Sequence, residues 1–400
     1  MNKKLIIPIA LGVIIFIFIL SRIIGPGNKI TLSYDDFKES VSTPDTIILK
    51  VYVENSGSMD AYMCQGSNLK DAVYDFISDL KKHTDECSLY YINSKIIPCN
   101  VTLDTYIKNL TPSSFAKAGG NRANTDLREI FRNVLINQTP NTVSVLISDC
   151  ILDIPESATN FFGNCQVSIK NSFNEALIRN PNLGVQIIKM KSKFDGYWFC
   201  GKNKAHLSNV ERPYYIWVIG DKYILKEIKQ KVSISEDYGG GVQNYCAYST
   251  KQPIEFVIEK KRYVVNHSGK ISIDILADLS ATLQDELTIR SLNQYDTPNP
   301  SQVLLTSVLP ITAKESKYSH VLNVEITNPQ VINNAIINMS YPYLPKWVEE
   351  TNDNTGKDIE NNLDKTTGLL YLVKGVAEAY KEHTNYGSIE FKLKNSSFAS

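Results

Sequence analysis

Hydrophobic positions along the chain follow two periods, and the change from one to the other divides it into regions. Between residues 45 and 233, near-continuous apolar runs alternate with stretches whose apolar positions recur every three to four residues. The runs "TIILKVYV" (46–53), "TVSVLISD" (142–149), "LGVQIIKMK" (183–191) and "YYIWVIG" (214–220) predict strands buried on both faces. The segment "GSNLKDAVYDFISDLKK" (66–82) places Leu69, Val73, Phe76, Ile77 and Leu80 on one helical face. Residues 102–110, 125–137, 167–180 and 221–232 read as further helices. "CSLYYIN" (87–93) and "KIIPC" (95–99) flank Asn93-Ser94 and read as a hairpin, with Pro98 suiting its second arm to a sheet edge. Strands alternating with helices predict an α/β fold with a doubly wound, mostly parallel sheet covered on both faces.

After residue 233 the helical period fades. "SEDYGGGVQN" marks a linker over 234–252, and 253–345 carries strand-like runs such as "IEFVIEK", "KISIDILADLS" and "HVLNVEIT" between turn residues. These predict a second, β-rich, sandwich-like domain. Residues 346–400 hold a polar stretch, 352–368, that reads as mobile, then a helix at 369–381 and a strand at 387–394. The helix and strand either belong to the β-rich domain or stand beside it. Residues 25–44 are polar, punctuated by Gly and Pro, and read as a spacer.

At the start of the chain, Lys3 and Lys4 precede the uncharged run "LIIPIALGVIIFIFIL" (5–20), with Arg22 close behind. A hydrocarbon core takes about 20 apolar residues, and a snorkelling Arg22 brings the segment into that range. Residues 1–24 are therefore expected to be a transmembrane signal-anchor. The positive flank would stay inside, leaving the bulk of the chain on the extracytoplasmic, periplasmic side of a cell membrane. The competing reading is a cleaved signal peptide, although no small-x-small cleavage site follows the run. An Asn-, Lys- and Ile-rich composition with a simple anchor suggests a bacterial envelope protein.

Composition narrows the picture in two ways. Lys+Arg and Asp+Glu are equal at 42 each, so no overall field recruits nucleic acid. There are seven cysteines, an odd number, with no C-x-x-C spacing that would point to a zinc ribbon or thioredoxin-type site. Cys87 and Cys99 bracket the predicted hairpin and are the expected pair if one disulfide forms; the alternative is that the cysteines are small buried apolar residues.

The candidate chemistry lies where the predicted strands end. In an open α/β sheet, ligands bind beyond the carboxyl ends of the strands. The first strand runs into Glu54-Asn55-Ser56-Gly57-Ser58, Asp149 ends the "TVSVLISD" strand, and Thr125 follows the Gly-rich loop "AKAGGNRAN". Together they offer two carboxylates and three hydroxyls, an all-oxygen set of the kind hard divalent cations prefer. At these residues the chain resembles the von Willebrand factor type A domain, over about residues 45–233. That family carries a metal-ion-dependent adhesion site built from an Asp-x-Ser-x-Ser turn, a later Thr and an Asp after a central strand. The resemblance implies a site for Mg²⁺ or Mn²⁺ at Glu54, Ser56, Ser58, Thr125 and Asp149, with an acidic group on a protein partner completing the coordination. Here the first family Asp is Glu54, longer by one methylene. It either reaches the ion through a shifted water or crowds the site and leaves it metal-free. Ser56 and Ser58 alone could simply cap a following helix, and Asp126 reads as a first-turn acid favoured by the helix dipole.

Enzymatic chemistry finds no comparable support. "ENSGSM" lacks the first glycine of a nucleophile elbow, the five histidines show no pairing pattern, and no P-loop is present. The expectation is a non-enzymatic, membrane-anchored binding module with a metal-centred protein-capturing face. The alternatives are a structural or assembly subunit of a membrane complex with a degenerate metal site and, more weakly, a metal-dependent hydrolase. A long aromatic segment, 192–215, puts Tyr197, Trp198 and Phe199 forward as partner-binding residues; packing onto the protein's own flank is the alternative.

Overall fold

The computed structural model describes residues 29–35, 44–123, 125–155, 160–232, 241–251, 254–313, 316–340, 344–382 and 386–395. Seven strands make its main sheet: β1 (Ile48–Glu54), β2 (Glu86–Ile92), β3 (Ile96–Pro98), β4 (Thr142–Ser148), β5 (Leu183–Cys200), β6 (Asn203–Asp221) and β7 (Val242–Ser249). Their spatial order is β3-β2-β1-β4-β6-β5-β7. Every residue of β4 is buried, the hydroxyl-bearing Thr142, Ser144 and Ser148 included, as befits a strand covered on both faces. Alternation divides its side chains: Val143, Val145 and Ile147 enter the core on one face, while Leu146 enters the other.

Helices cover both faces. Helix α1 (Asn68–Lys81) packs Leu69, Val73, Phe76, Ile77 and Leu80 against Val51, Val53 and Val145, and α4 (Lys222–Lys231) joins it there; α2 (Leu127–Ile136), α3 (Phe161–Arg179) and α5 (Leu369–Glu382) cover the opposite face. The Ser67 hydroxyl caps α1 by accepting from Leu69 N–H at 3.3 Å, a contact whose loss typically costs about 1 kcal/mol. The α/β class therefore holds.

The expected mostly parallel, doubly wound sheet does not. β1 pairs in parallel with β2 and β4, but every other neighbouring pair in the sheet is antiparallel. The cause is one long hairpin. β5 and β6 stay in register from Leu183↔Asp221 to Cys200↔Asn203. They are joined by Gly201-Lys202, with Gly201 at φ +58°, the position where a two-residue type II′ turn favours glycine. A hairpin needs no crossover helix, so β6 returns antiparallel beside β4.

Two more sheets face each other over a third core. One has the order Arg262–Val264, Lys29–Ser33, Tyr386–Asn395, Asn334–Ser340, Tyr295–Asp296; the other runs Val303–Pro310, His320–Thr327, Lys270–Asp278, Glu255–Val257. Ile30, Leu32, Ile273, Ile275, Val324, Ile337 and Phe391 fill the space between them. The β-rich part is thus assembled from three stretches of chain. The stretch read as a spacer contributes Lys29–Ser33, which pairs with Tyr386–Asn395. The stretch read as a linker contributes β7, an edge strand of the main sheet. Of the last elements, α5 packs on α3 of the α/β part, and Tyr386–Asn395 belongs to the sandwich.

The polar stretch 352–368 is held in place. Arg212, 1% exposed, donates from Nη1 to the carbonyl oxygens of Asn362, Leu363 and Lys365 at 3.3, 2.9 and 3.1 Å. Asn352-Asp353 pairs in parallel with Thr366-Thr367, and Leu152 N–H donates to the Thr367 carbonyl at 2.9 Å.

Two further expectations are corrected. All seven cysteines are thiols. Cys99 N–H donates to the Leu89 carbonyl, so Cys99 lies across from Leu89 and only diagonal to Cys87, about 7–8 Å away, beyond disulfide reach. The expected membrane-spanning segment, 1–24, lies outside the described residues. Among the described residues no helix is long and apolar enough to cross a membrane. The single-pass anchor, the membrane as partner and the extracytoplasmic placement that followed from it are withdrawn, since the structure offers nothing to support them.

Candidate functional site

The five residues singled out at the strand ends come together. β1 delivers Glu54 to the sheet rim, and the chain turns through Asn55, Ser56 and Gly57 into a short 3₁₀ helix, Ser58–Met63. β4 delivers Asp149 beside it, and Thr125 stands just ahead of α2. Glu54, Ser56, Ser58, Thr125 and Asp149 all line one cavity of about 340 Å³, with Arg122, Ile151, Asp153, Phe199 and Gly201 completing its wall. Asp126 is the N-cap of α2, its Oδ1 accepting from Arg128 N–H at 2.9 Å, and it stays outside this cavity.

Glu54 and Asp149 are 3% and 2% exposed. The Ser148 hydroxyl donates to Glu54 Oε2, and Ser148 Oγ accepts from Cys150 N–H at 2.8 Å. Ser56 and Ser58 share a hydroxyl–hydroxyl bond of 3.2 Å. Asp149 Oδ1 accepts from Ile151 N–H at 3.3 Å, whereas Asp149 Oδ2 and Thr125 Oγ1 are buried with no hydrogen-bond partner. Cys150, next in the chain, sits in the left-handed region at φ +56°, an uncommon conformation for a non-glycine residue. Burial, then the neighbouring charge of Asp149, pushes the Glu54 carboxyl up to about 8, against hydrogen bonds from Ser148 and Ser56. Burial also raises Asp149 above the ordinary range, opposed by the nearby Ser58 hydroxyl, the Ile151 N–H and the charge of Arg212. Two carboxylates packed this way resist ionising together.

Backbone ties lock the loops around the cavity. Arg122 donates from Nε to the Asn55 carbonyl at 2.8 Å and from Nη2 to the Ser56 carbonyl at 3.3 Å, and it pairs with Asp60. Its own carbonyl accepts from Gly57 N–H at 3.1 Å. Asn93 Nδ2 bridges Asn55 Oδ1 and the Gly119 carbonyl at 3.0 and 2.9 Å. Arg122 was not singled out from sequence, although it was visible as the one arginine in the Gly-rich loop. Asp153, four residues past Asp149, was also missed; its Oδ1 accepts from Gly201 N–H, joining the β5–β6 turn to the cavity wall.

Of the three aromatic residues put forward for partner binding, two reach the surface and one does not. Tyr197 and Phe199 are 48% and 38% exposed, but Trp198 is 1% exposed and lies in the core. The reason is strand alternation: neighbours on β5 point to opposite faces. Phe199 lines the cavity. The Lys204 ammonium stands 3.9 Å from the Tyr197 ring centroid and 5.4 Å from that of Phe199.

Among the described residues, no group of three or more His, Cys, Asp or Glu side chains could hold a metal ion. The expected Mg²⁺ or Mn²⁺ centre is therefore not evident as a cluster of such ligands: Glu54 and Asp149 face the hydroxyls of Ser56, Ser58 and Thr125, and the third carboxylate on the wall, Asp153, is held by Gly201 N–H. The set nevertheless suits a small hard dication. Mg²⁺ takes few protein carboxylates and keeps several waters; the cavity has room for water, and Asp149 and Thr125, each with one buried oxygen lacking a hydrogen-bond partner, are among its lining residues.

No known family's sequence model matches the chain, and no curated protein matches it. The case for a function therefore rests on the cavity itself.

Proposed function

We propose that the chain is a protein-binding module of the von Willebrand factor type A kind, capturing an acidic group of a partner at its rim cavity. The observation that carries this reading is the convergence of Glu54, Ser56, Ser58, Thr125 and Asp149 from three separate segments onto one cavity, with Thr125 and Asp149 each carrying a buried oxygen that lacks a hydrogen-bond partner. Ser56, Ser58 and Thr125 would hold a Mg²⁺ or Mn²⁺ ion through their hydroxyls, with Glu54 and Asp149 supplying the negative charge around it. Bound there, the ion supplies a concentrated positive charge for a partner carboxylate. Arg122 and Asn93 keep the hydroxyl loop in shape, and Tyr197 and Phe199 supply apolar contact beside the opening. Asp149→Asn, Thr125→Ala and Ser58→Ala should each abolish a Mg²⁺- or Mn²⁺-induced rise in melting temperature and heat of binding. An unchanged wild-type protein on adding either ion, with Ser58→Ala indistinguishable from it, rejects the cation-centred form.

A second reading is a structural or assembly subunit that binds its partner without a cation. It is favoured by Glu54 already being held by Ser148 and by the Arg122 guanidinium lining the same cavity. It requires capture that survives chelator and is lost in Tyr197→Ala with Phe199→Ala.

A further inference from the structure

A second cavity, of about 470 Å³, opens next to the first along the same rim. The two share Thr125, Asp153 and Gly201 in their walls, so one ligand can enter both. Their chemistry differs. Leu127, Leu152, Ile154 and Phe161 give the second cavity apolar surface. Arg128, which also lines it, is already closed on Asp126: Nε donates to both carboxylate oxygens at 2.9 and 3.0 Å, and Nη2 donates at 2.6 Å. The Asp153 carboxylate is engaged by Gly201 N–H. Lys202, also on this wall, is engaged as well. With these charges spoken for, the second cavity suits a neutral aliphatic group better than a second acid.

We propose that the rim groove recognises an extended peptide segment carrying an acidic residue and, two positions away, a large aliphatic residue. In an extended chain, residues i and i+2 project on the same side about 7 Å apart, a spacing that suits neighbouring pockets separated by one wall of side chains. The acidic side chain enters the cavity at Glu54, Ser56, Ser58, Thr125 and Asp149, and the aliphatic one enters between Leu127, Leu152, Ile154 and Phe161. This deepens the function proposed above and rests on it for the acidic position. Deep burial of a leucine-sized side chain gives a tenfold or larger preference over a small polar one.

The test uses fluorescent hexapeptides titrated with the whole protein in Mg²⁺ buffer, read by polarisation. One set is Ala-Ala-Glu-Ala-Xaa-Ala and the other Ala-Xaa-Ala-Glu-Ala-Ala, with Xaa as Leu, Ser or Asp, beside controls with Gln for Glu. In one of the two directions, the Leu peptide should bind about tenfold or more tightly than the Ser peptide. Phe161→Ser and Ile154→Ser, each checked for wild-type-like melting, should bring that ratio towards one. Glutamate-dependent binding with a Leu-to-Ser ratio near one in both directions overturns this inference alone. So does a ratio that persists in both variants. Failure of every peptide to bind in a glutamate-dependent way overturns it together with the acid-capturing reading of the first cavity.

Discussion

Arg122 and Gly57 hold each other at the wall of the rim cavity: the Gly57 N–H donates to the Arg122 carbonyl, while the Arg122 side chain donates back to the successive carbonyls of Asn55 and Ser56. Two loops far apart in sequence are thereby fixed as one unit, with the hydroxyls of Ser56 and Ser58 on it. Arg122→Ala strips donors from two carbonyls and should cost about 1–3 kcal/mol in urea unfolding. It should also weaken any Mg²⁺ response more than that loss of stability explains. Arg122→Lys, which keeps the charge but not the forked geometry, should rescue the response only in part. A Mg²⁺ response equal to wild type in Arg122→Ala would show that the tie has no bearing on the site.

The Glu54 carboxyl gives the site a pH signature. Its folded pKa, about 8, lies above its ordinary 4.5, so its stabilising contribution is full below the lower value and is lost as pH rises through the upper one. In chelator, Glu54→Gln should therefore gain melting temperature relative to wild type as pH rises from about 5 to about 8. Adding Mg²⁺ should shrink the gap at the alkaline end, because a dication favours the ionised pair. Differential scanning fluorimetry over that range checks it, and a gap independent of pH counts against a raised Glu54.

Arg212 is a buried cation whose described hydrogen bonds run to the carbonyl oxygens of the 352–368 stretch. Arg212→Met keeps much of the apolar volume and removes every donor. It should cost roughly 2–4 kcal/mol and raise amide exchange selectively over 352–368. Uniform exchange throughout the chain would instead mean that this stretch is held by its own turns.

Gly120 lies at φ +80°, and a Cβ there would collide with the Asn93 side chain that braces Asn55. Gly120→Ala should destabilise by about 1–3 kcal/mol, combining left-handed strain with overpacking. Its melting temperature should recover partly in Gly120→Ala with Asn93→Ala.

What could be read from the sequence followed from local pattern. The apolar runs ending at Glu54 and Asp149 announced β1 and β4, and the spacing of Leu69, Val73, Phe76 and Leu80 announced α1. Because both strands end at the same rim, the meeting of Glu54, Ser56, Ser58 and Asp149 followed from strand direction alone. The misses share a physical cause, which is pairing between distant residues. Nothing near "KITLS" reveals that its partner is 386–395, so the stretch passed for a spacer. The hairpin of β5 and β6 was read as two separate short strands because the apolar run gives out at Lys191-Ser192-Lys193, just ahead of the bulge that shifts the register between Phe194 and Gly196. Residues 352–368 passed for mobile because the groups that hold them, Arg212 and Leu152, lie elsewhere in the chain.

Ile30 pairs with Asn395 and Leu32 with Leu393, so strands from opposite ends of the described chain share one ladder. A ribosome delivers the first of them roughly 360 residues before its neighbour exists. Until translation reaches the last strand, Ile30 and Leu32 lack that neighbour, while the α/β part can already collect most of its helices. Removing residues 386–395 should therefore leave a truncated chain whose early strand is an exposed, sticky edge, and chaperone dependence should fall late in synthesis rather than early.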